Sequence, residues 1–365
     1  MPSKKPELRQ YDNLFSVISQ LLSNAKNNIV KTINNTMIVT YWYIGQFIVE
    51  YEQGGKDRAV YGTQLLKRLS LDLTSRFGKG YSWRNLYYMK QFYIEFPILQ
   101  TVFAKSDNQK LQTPFAKSEK KDINLFSEKL ITSIAHLTWS HFVRLLSIKN
   151  KDERSFYIIE TAENKWSERE LDRQINSSLF ERLVLSKDRK AVKELSEKGQ
   201  IISTEQDLLK DPLVLEFLNI KQDSSYSENE LETAIINNLG EFLLELGKGF
   251  TFVARQQRIS SGTEHFYIDL VFYNRLLRCF VLIDLKIGKL KHQDIGQMQM
   301  YVNYYDREIK TENENQTIGI ILCKEKDDFV IEYTLPKDNK QIFPNEYKLY
   351  LPDKTELQKL LKQYL

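Results

Sequence analysis

From Leu8 to about Phe96 the apolar residues recur three and four positions apart, as in Leu14, Val17, Ile18, Leu21 and Leu22 and again in Ile38, Tyr41, Trp42, Ile44, Ile48 and Val49. That spacing lines one stripe of a helix, so this region is expected to be all-helical. The stretch from Ala104 to Asp122 is polar, holds Pro114 and has no period, and it reads as an exposed loop or insertion. Helical patterns return at Leu125 to Ile134, Trp139 to Leu146, Asp152 to Glu163 and Ser167 to Leu183, with Ser140 and Ser167 as candidate caps. The charged run Ser186 to Gln200 reads as a solvated helix or linker, and KQDSSYSENE from Lys221 as the last connection before a different pattern.

From Glu228 the period changes. A helix over Glu230 to Leu246 ends at Gly247, and three β-rich segments follow at Phe250 to Ile259, His265 to Tyr273 and Cys279 to Lys286. A helix from about Asp294 to Asp306 and a strand at Thr317 to Cys323 complete an α/β domain whose last strand needs a crossover. The expected division is a helical domain over 8–185, a linker over 186–227, an α/β domain over 228–350 and a tail helix over 351–365.

Composition narrows this little. The 365 residues suffice for two cores, and the net charge of +4 arises from 52 basic against 48 acidic residues, so a nucleic-acid surface requires local segregation of charge. Cys279 and Cys323 lie in apolar runs without metal-ligand spacing and read as reduced core residues. No apolar run reaches the roughly 20 residues that span a bilayer, and the start lacks a signal-peptide core, so the expectation is a soluble, cytoplasmic protein with no membrane partner.

The candidate chemistry sits in two strands. In VLIDLK, Asp284 and Lys286 are two apart and share a strand face, while Leu285 points to the other. In HFYIDLVFY, Asp269 stands among apolar and aromatic residues, where a carboxylate needs a cation or donors. If the strands pair so that Asp269 neighbours Asp284, the two acids offer a hard-oxygen site for Mg²⁺ or Mn²⁺ beside Lys286. The bland alternative is an interstrand salt bridge, but two acids and one lysine leave excess negative charge, which a divalent cation relieves. On the following helix Gln297 and Tyr301 are four apart and share a face. Arg255, Arg258, Arg275, Arg278, Lys289 and Lys291 surround these strands and read as a phosphate-facing rim that carries no base specificity.

These segments, LETAIINNLGEFLLELGKGFTFVARQQRI, FYIDLVFYNRLLRCFVLIDLKIGKL and GQMQMYVNYYD, resemble the PD-(D/E)xK nuclease superfamily, and more closely the YhcG-like bacterial family, which joins a helical N-terminal domain to such a nuclease domain. The resemblance implies a restriction-endonuclease-like domain with a central mixed sheet and a Mg²⁺-dependent endonuclease acting on DNA without a small-molecule cofactor. It also implies that Asp269, Asp284 and the Leu285 carbonyl bind the metal and that Lys286 positions or activates water. Glu232 on the first helix matches the superfamily's additional acid, with Glu241 as the alternative, and Gln297 and Tyr301 are placed over the centre. Ile268 stands where the superfamily's name has proline. Bacterial defence, restriction or mobile-element biology and a homodimer or larger complex are the implied setting. A non-catalytic subunit that keeps the fold, and a nuclease of RNA or branched DNA, stay open.

In the N-terminal half, a helix ending near Phe77, the turn GKG and a second helix capped by Ser82 have the grammar of a helix-turn-helix. Arg84, Asn85, Tyr88 and Lys90 are the candidate DNA-binding residues of the second helix. A fainter second unit places His141 and Arg144 on an exposed helix face. Trp42, Trp83, Trp139 and Trp166 read as core or interface anchors.

Overall fold

The structure is a computed structural model, and it describes residues 36–52, 62–97, 128–134, 136–185, 191–210, 212–221, 225–261 and 263–351, with 353, 354 and 357. The expectations for 8–35, for the loop at 104–122 and for most of the tail helix fall outside these residues. The chain divides into two compact units, Met1–Leu171 with Ser196–Lys198, and Asp172–Leu195 with Gly199–Leu365.

The first unit is helical where described. Helix α1 covers 36–52, α2 Gly62–Phe77, α3 Trp83–Glu95, α4 Glu128–Ile134, α5 Trp139–Leu145 and α6 Lys151–Asn164. The apolar stripe read from the sequence is its core: Tyr41, Ile48, Leu66, Leu86 and Met89 pack together. A Cβ on Gly45 would lie 2.0 Å from the Met89 carbonyl oxygen, so only glycine lets α1 approach α3 this closely. Ser82 caps α3 by accepting from the Asn85 N–H at 3.2 Å. The cap of α5 is Thr138 and not Ser140, because the His141 ring closes a reciprocal capping box with it. His141 is therefore buried, its Nε2 lying 3.1 Å from the Trp166 carbonyl oxygen, and the exposed face expected there is absent at that position. Trp42 and Trp166 are core residues, whereas Trp83 is half exposed.

Helices α7 (Glu168–Asn176), α8 (Leu179–Leu185) and α9 (Ala191–Lys198) follow, and a two-residue strand β1 (Leu213–Val214) opens the sheet. The remaining elements are α10 (Glu228–Asn237), α11 (Leu239–Leu246), β2 (Phe250–Ser261), β3 (Glu264–Asn274), β4 (Cys279–Lys289), α12 (His292–Tyr304), β5 (Ile318–Glu325), α13 (Asp328–Thr334) and β6 (Ile342–Lys348). The sheet order is β1-β6-β5-β4-β3-β2. Strands β2, β3 and β4 form an antiparallel meander, and β4, β5, β6 and β1 run parallel, the mixed arrangement expected. Alternation sends Leu270, Phe272, Ile283 and Leu285 to a core under α10 and α11, and Val271, Leu282 and Ile321 to a core under α12. Gly319 matters here: a Cβ on it would lie 2.5 Å from Met298 Cγ, so its absence seats α12 against β5.

Two boundaries differ from the expectation. The helix expected over Glu230 to Leu246 breaks at Asn238, giving α10 and α11. The segment 186–227 is not a linker throughout: Leu213–Val214 pairs in parallel with Tyr347 and Lys348 of β6, and Leu208, Leu213, Leu215 and Leu218 are buried in the sheet's core. A two-residue strand has too few positions to show a period, which is why the pattern along the chain does not reveal it.

Candidate active site

Strands β3 and β4 pair with Leu270 opposite Ile283, the last rung before Asp269 and Asp284, whose charges act on one another. The ladder stops there. Beyond that point the Asp269 carboxylate takes over from the strand, accepting the Leu285 N–H at 2.7 Å through Oδ2. Asp284 is 2% exposed and lies on the α12 side of the sheet, with Lys286 two residues further along the same face. Lys286 Nζ is 2.7 Å from Asp284 Oδ2 and 3.8 Å from Glu228 Oε2. Lys286 is thus the charge partner of this buried carboxylate oxygen, and no second donor reaches it among the described residues.

Glu232 enters from α10. It is buried, and the Gln256 side-chain amide of β2 donates to it and, at 3.0 Å, to Asp269 Oδ1. Gln256 has φ 46, a left-handed conformation that is unusual for a non-glycine residue in a strand and costs on the order of 1 kcal/mol. Sequence reasoning passed over Gln256 because neutral glutamines in strands carry no signal; its neighbours Arg255 and Arg258 drew the attention. Glu241, the alternative acid, is exposed.

The electrostatics follow from this crowding. Burial pushes the Asp284 carboxyl up to about 7, with Lys286 opposing and Asp269 adding to the shift. Burial also raises Glu232, against the Gln256 hydrogen bond and with the help of the Asp269 charge. Burial works against the Lys286 ammonium, yet Asp284, Glu228 and Asp269 prevail and hold it above the ordinary lysine value. Lys286 is therefore a retained positive charge.

Over this group, Tyr301 is fully buried, donates to the Tyr267 carbonyl at 2.9 Å and accepts from Gln297. Asp284, Asp269 and Lys286 all act electrostatically on its hydroxyl. The structure thus brings together Asp269, Asp284, Lys286, Glu232, Gln297 and Tyr301. The oxygen donors here, the carboxylates of Asp284, Asp269 and Glu232, are of the kind a hard divalent cation takes. Among the described residues no three His, Cys, Asp or Glu side chains are already gathered as a metal cluster; the Gln256 amide joins Glu232 to Asp269, and Lys286 sits on Asp284.

The candidate DNA-binding residues are dispersed. Arg255 is exposed, and Arg258 approaches the His265 ring at 2.9 Å and donates to Ser260. Lys289 pairs with Asp327 at 2.9 Å, and Lys291 is exposed at the start of α12. In the first unit, Arg84 and Tyr88 border a cleft of about 410 Å³ with Trp139, Ser140 and Glu168. Asn85 is engaged locally, accepting from Trp139 Nε1 at 2.8 Å and donating to the Gly80 carbonyl, and Lys90 is paired with Glu52 at 2.5 Å.

A helix-backed mixed sheet with an acid on one strand and D-x-K on the next belongs to the class of PD-(D/E)xK nuclease domains, and comparison with known proteins agrees. Residues 206–362 match the YhcG PDDEXK nuclease domain, and residues 17–182 match the DUF1016 N-terminal domain. The chain is 41% identical to "Putative nuclease YhcG" of Escherichia coli (strain K12) over 351 residues, which is 95% of this chain and 92% of that protein. It belongs to the YhcG family of nuclease-domain proteins. Among solved structures, a repair endonuclease from Pyrococcus abyssi aligns at 18% identity and a TM-score of 0.24, and EndoMS in its apo form at 17% and 0.23. Each alignment covers 36% of this chain, which spans about half the length of those structures, 50% and 49% respectively. Among the described residues no helix is long and apolar enough to cross a membrane.

Proposed function

We propose that this chain is a divalent-cation-dependent endonuclease that hydrolyses phosphodiester bonds of DNA, with Mg²⁺ as the cation and Mn²⁺ as a substitute. The observation that carries the reading is the buried, under-compensated carboxylate of Asp284 beside Asp269, with Lys286 on the same strand face and Glu232 joined through Gln256. Glu232, Asp269, Asp284 and the Leu285 carbonyl would hold the cation. When bound, the cation stabilises charge on the phosphoryl oxygens and lowers the pKa of a water. Lys286 keeps its proton and serves as a fixed charge that orients the attacking water and stabilises the developing negative charge. Tyr301 and Gln297 close the site from above, hold the end of the β3 backbone through the Tyr267 carbonyl and offer an amide to a phosphate oxygen.

Arg255, Arg258, Lys289 and Lys291 engage the DNA backbone around this site. Arg84 and Tyr88, with Asn85 and Lys90 in supporting positions, make the first unit a second DNA contact; Arg84→Ala is expected to weaken DNA binding at low salt, and unchanged affinity would remove that role. A homodimer supplies the second cut of a duplex, and the setting is bacterial defence, restriction or mobile-element biology.

The test is incubation of the purified protein with supercoiled, linear, single-stranded and branched DNA, with Mg²⁺, with Mn²⁺ or with chelator, beside Asp284→Ala and Lys286→Ala. Cation-dependent cutting by the wild type alone supports the reading. Equal cutting by all three proteins sinks it, and cation-dependent cutting of RNA in preference to DNA replaces the substrate.

A further inference from the structure

The three parallel strands β4, β5 and β6 end at a cleft of about 380 Å³, lined by Gly288 and Lys289, by Lys324 and Glu325 of β5, by Glu346 and Lys348 of β6, and by Tyr226 and Tyr350, so that three lysines face two glutamates. It begins two residues beyond Lys286 on the same strand, and on its other side Tyr226 stands two residues before Glu228, which is 3.8 Å from Lys286. The cleft therefore adjoins the site above along β4. Space outside the carboxyl ends of parallel strands is where open α/β sheets bind ligands, and this volume is of the size that takes one small molecule.

Its lining is specific in kind. Lys324 is exposed and has no ion-pair partner among the described residues. Lys289 is paired with Asp327 at 2.9 Å and with Glu325 at 3.8 Å, and Lys348 with Glu346, but these pairs are partly or largely exposed and weakened by solvent, so a phosphate competes with them. Tyr350 is 41% exposed, leaving ring surface uncovered. Behind it the Tyr226 and Tyr347 hydroxyls meet at 2.9 Å and give the floor a polar edge. Ammonium groups at the rim, an open aromatic ring and a polar floor match a phosphate joined to a base.

We propose that this cleft is the subsite for one unpaired nucleotide of the substrate strand beside the scissile phosphate, with Lys324 and Lys289 on its phosphate and the Tyr350 ring against its base. The inference rests on the nuclease reading of the neighbouring site and adds a substrate class, strands that present an unpaired nucleotide. A duplex keeps its bases stacked and does not fill the cleft.

The test is read without catalysis. In chelator, the fluorescence anisotropy of a labelled single-stranded oligonucleotide and of a duplex of the same sequence is followed with the wild type and with Lys324→Ala/Tyr350→Ala. Affinity for the single strand is expected to fall about 10-fold, with the duplex changed less than about 2-fold, and Tyr350→Phe, which keeps the ring, to retain wild-type affinity. Equal loss on both DNAs makes the cleft an ordinary backbone contact and overturns the assignment, as does no loss on either. Tight thymidine monophosphate binding that the double variant abolishes while the strand's affinity is unchanged makes it a free-nucleotide site and also overturns it. A selective single-strand loss in a protein that cuts nothing leaves the subsite standing while the nuclease reading falls.

Discussion

Two of the carboxylates buried in the sheet unit are held in opposite ways. Glu245 of α11 is wholly buried and fully matched: Arg182 lies 2.5 Å from Oε1, the Val214 N–H donates to the same oxygen at 3.0 Å, and Arg173 lies 3.4 Å from Oε2. Lys210 donates to its backbone carbonyl. Burial pushes this acid up, but Arg182, Lys210 and Arg173 overcome it and hold it at about 2. Asp284 of β4 is just as buried, yet it has one lysine and two acidic neighbours, Asp269 and Glu228, and stands at about 7. The first carboxylate is a finished structure that ties α7, α8 and α11 to the edge strand β1. The second is left in electrostatic debt, which is the condition a cation or a substrate relieves.

That contrast breaks first at the level of activity. Asp284→Ala is expected to lower cation-dependent cleavage by at least about 10³-fold, ~4 kcal/mol of barrier, while lowering stability by no more than about 1 kcal/mol. Initial rates and urea melts on the same preparations measure both. Glu245→Ala is expected to do the reverse, costing about 3 kcal/mol of stability because two guanidinium groups and an ammonium lose their counterion in a buried place. If Glu245→Ala melts like the wild type, the cluster is not what fastens β1 to the sheet unit.

The two clusters were also unequally legible. Asp284, Lys286 and Asp269 stand out in sequence because each interrupts an apolar strand whose alternation fixes its face. The meander β2 to β4 and the crossover helix follow from the same periodicities. The Glu245 cluster shows no such signal, since Arg173, Arg182, Lys210 and Glu245 lie on four segments read as ordinary helix faces and linker. Its partners lie 31 to 72 positions from Glu245 along the chain, and no local pattern encodes such contacts. Lys90 and Asn85 are half legible for the same reason: their charge and polarity are visible along the chain, but their engagement with Glu52 and Trp139 is not.

The contrast is sharpened by pH. Asp284 has a folded-state pKa of about 7 against an ordinary 3.8, so the folded protein holds a proton that the unfolded chain has released. The stability this contributes is complete below about pH 4 and is lost as pH rises towards 7. A cation requires the carboxylate and expels that proton, so it should restore stability where the proton is gone. Mg²⁺ is therefore expected to raise the melting temperature more at pH 8 than at pH 6, and Asp284→Asn to abolish the difference. An equal rise at both values in the wild type would mean that the cation binds elsewhere.

The smallest expected effect concerns Gln256, whose amide joins Glu232 to Asp269 while its backbone sits at φ 46. Gln256→Gly separates these features, because glycine adopts this φ without strain but carries no amide. Relief of about 1 kcal/mol of strain is offset by glycine's greater loss of entropy on folding, so the melting temperature should move by no more than a few degrees. Cleavage should fall about 10-fold, the value of one lost hydrogen bond to a charged group, ~1.4 kcal/mol, with the loss shared by catalytic rate and apparent cation affinity. Gln256→Asn, too short to span both acids, should give the same loss of cleavage while retaining the strain, and so melt lower than Gln256→Gly. If cleavage is unchanged in both variants, the amide bridge is a consequence of strand geometry, and Glu232 then reaches the site without it. A fall in cleavage with an intact fold instead makes Gln256 the residue that sets the spacing of the two acids, which Glu245, locked by its cations, has no need of.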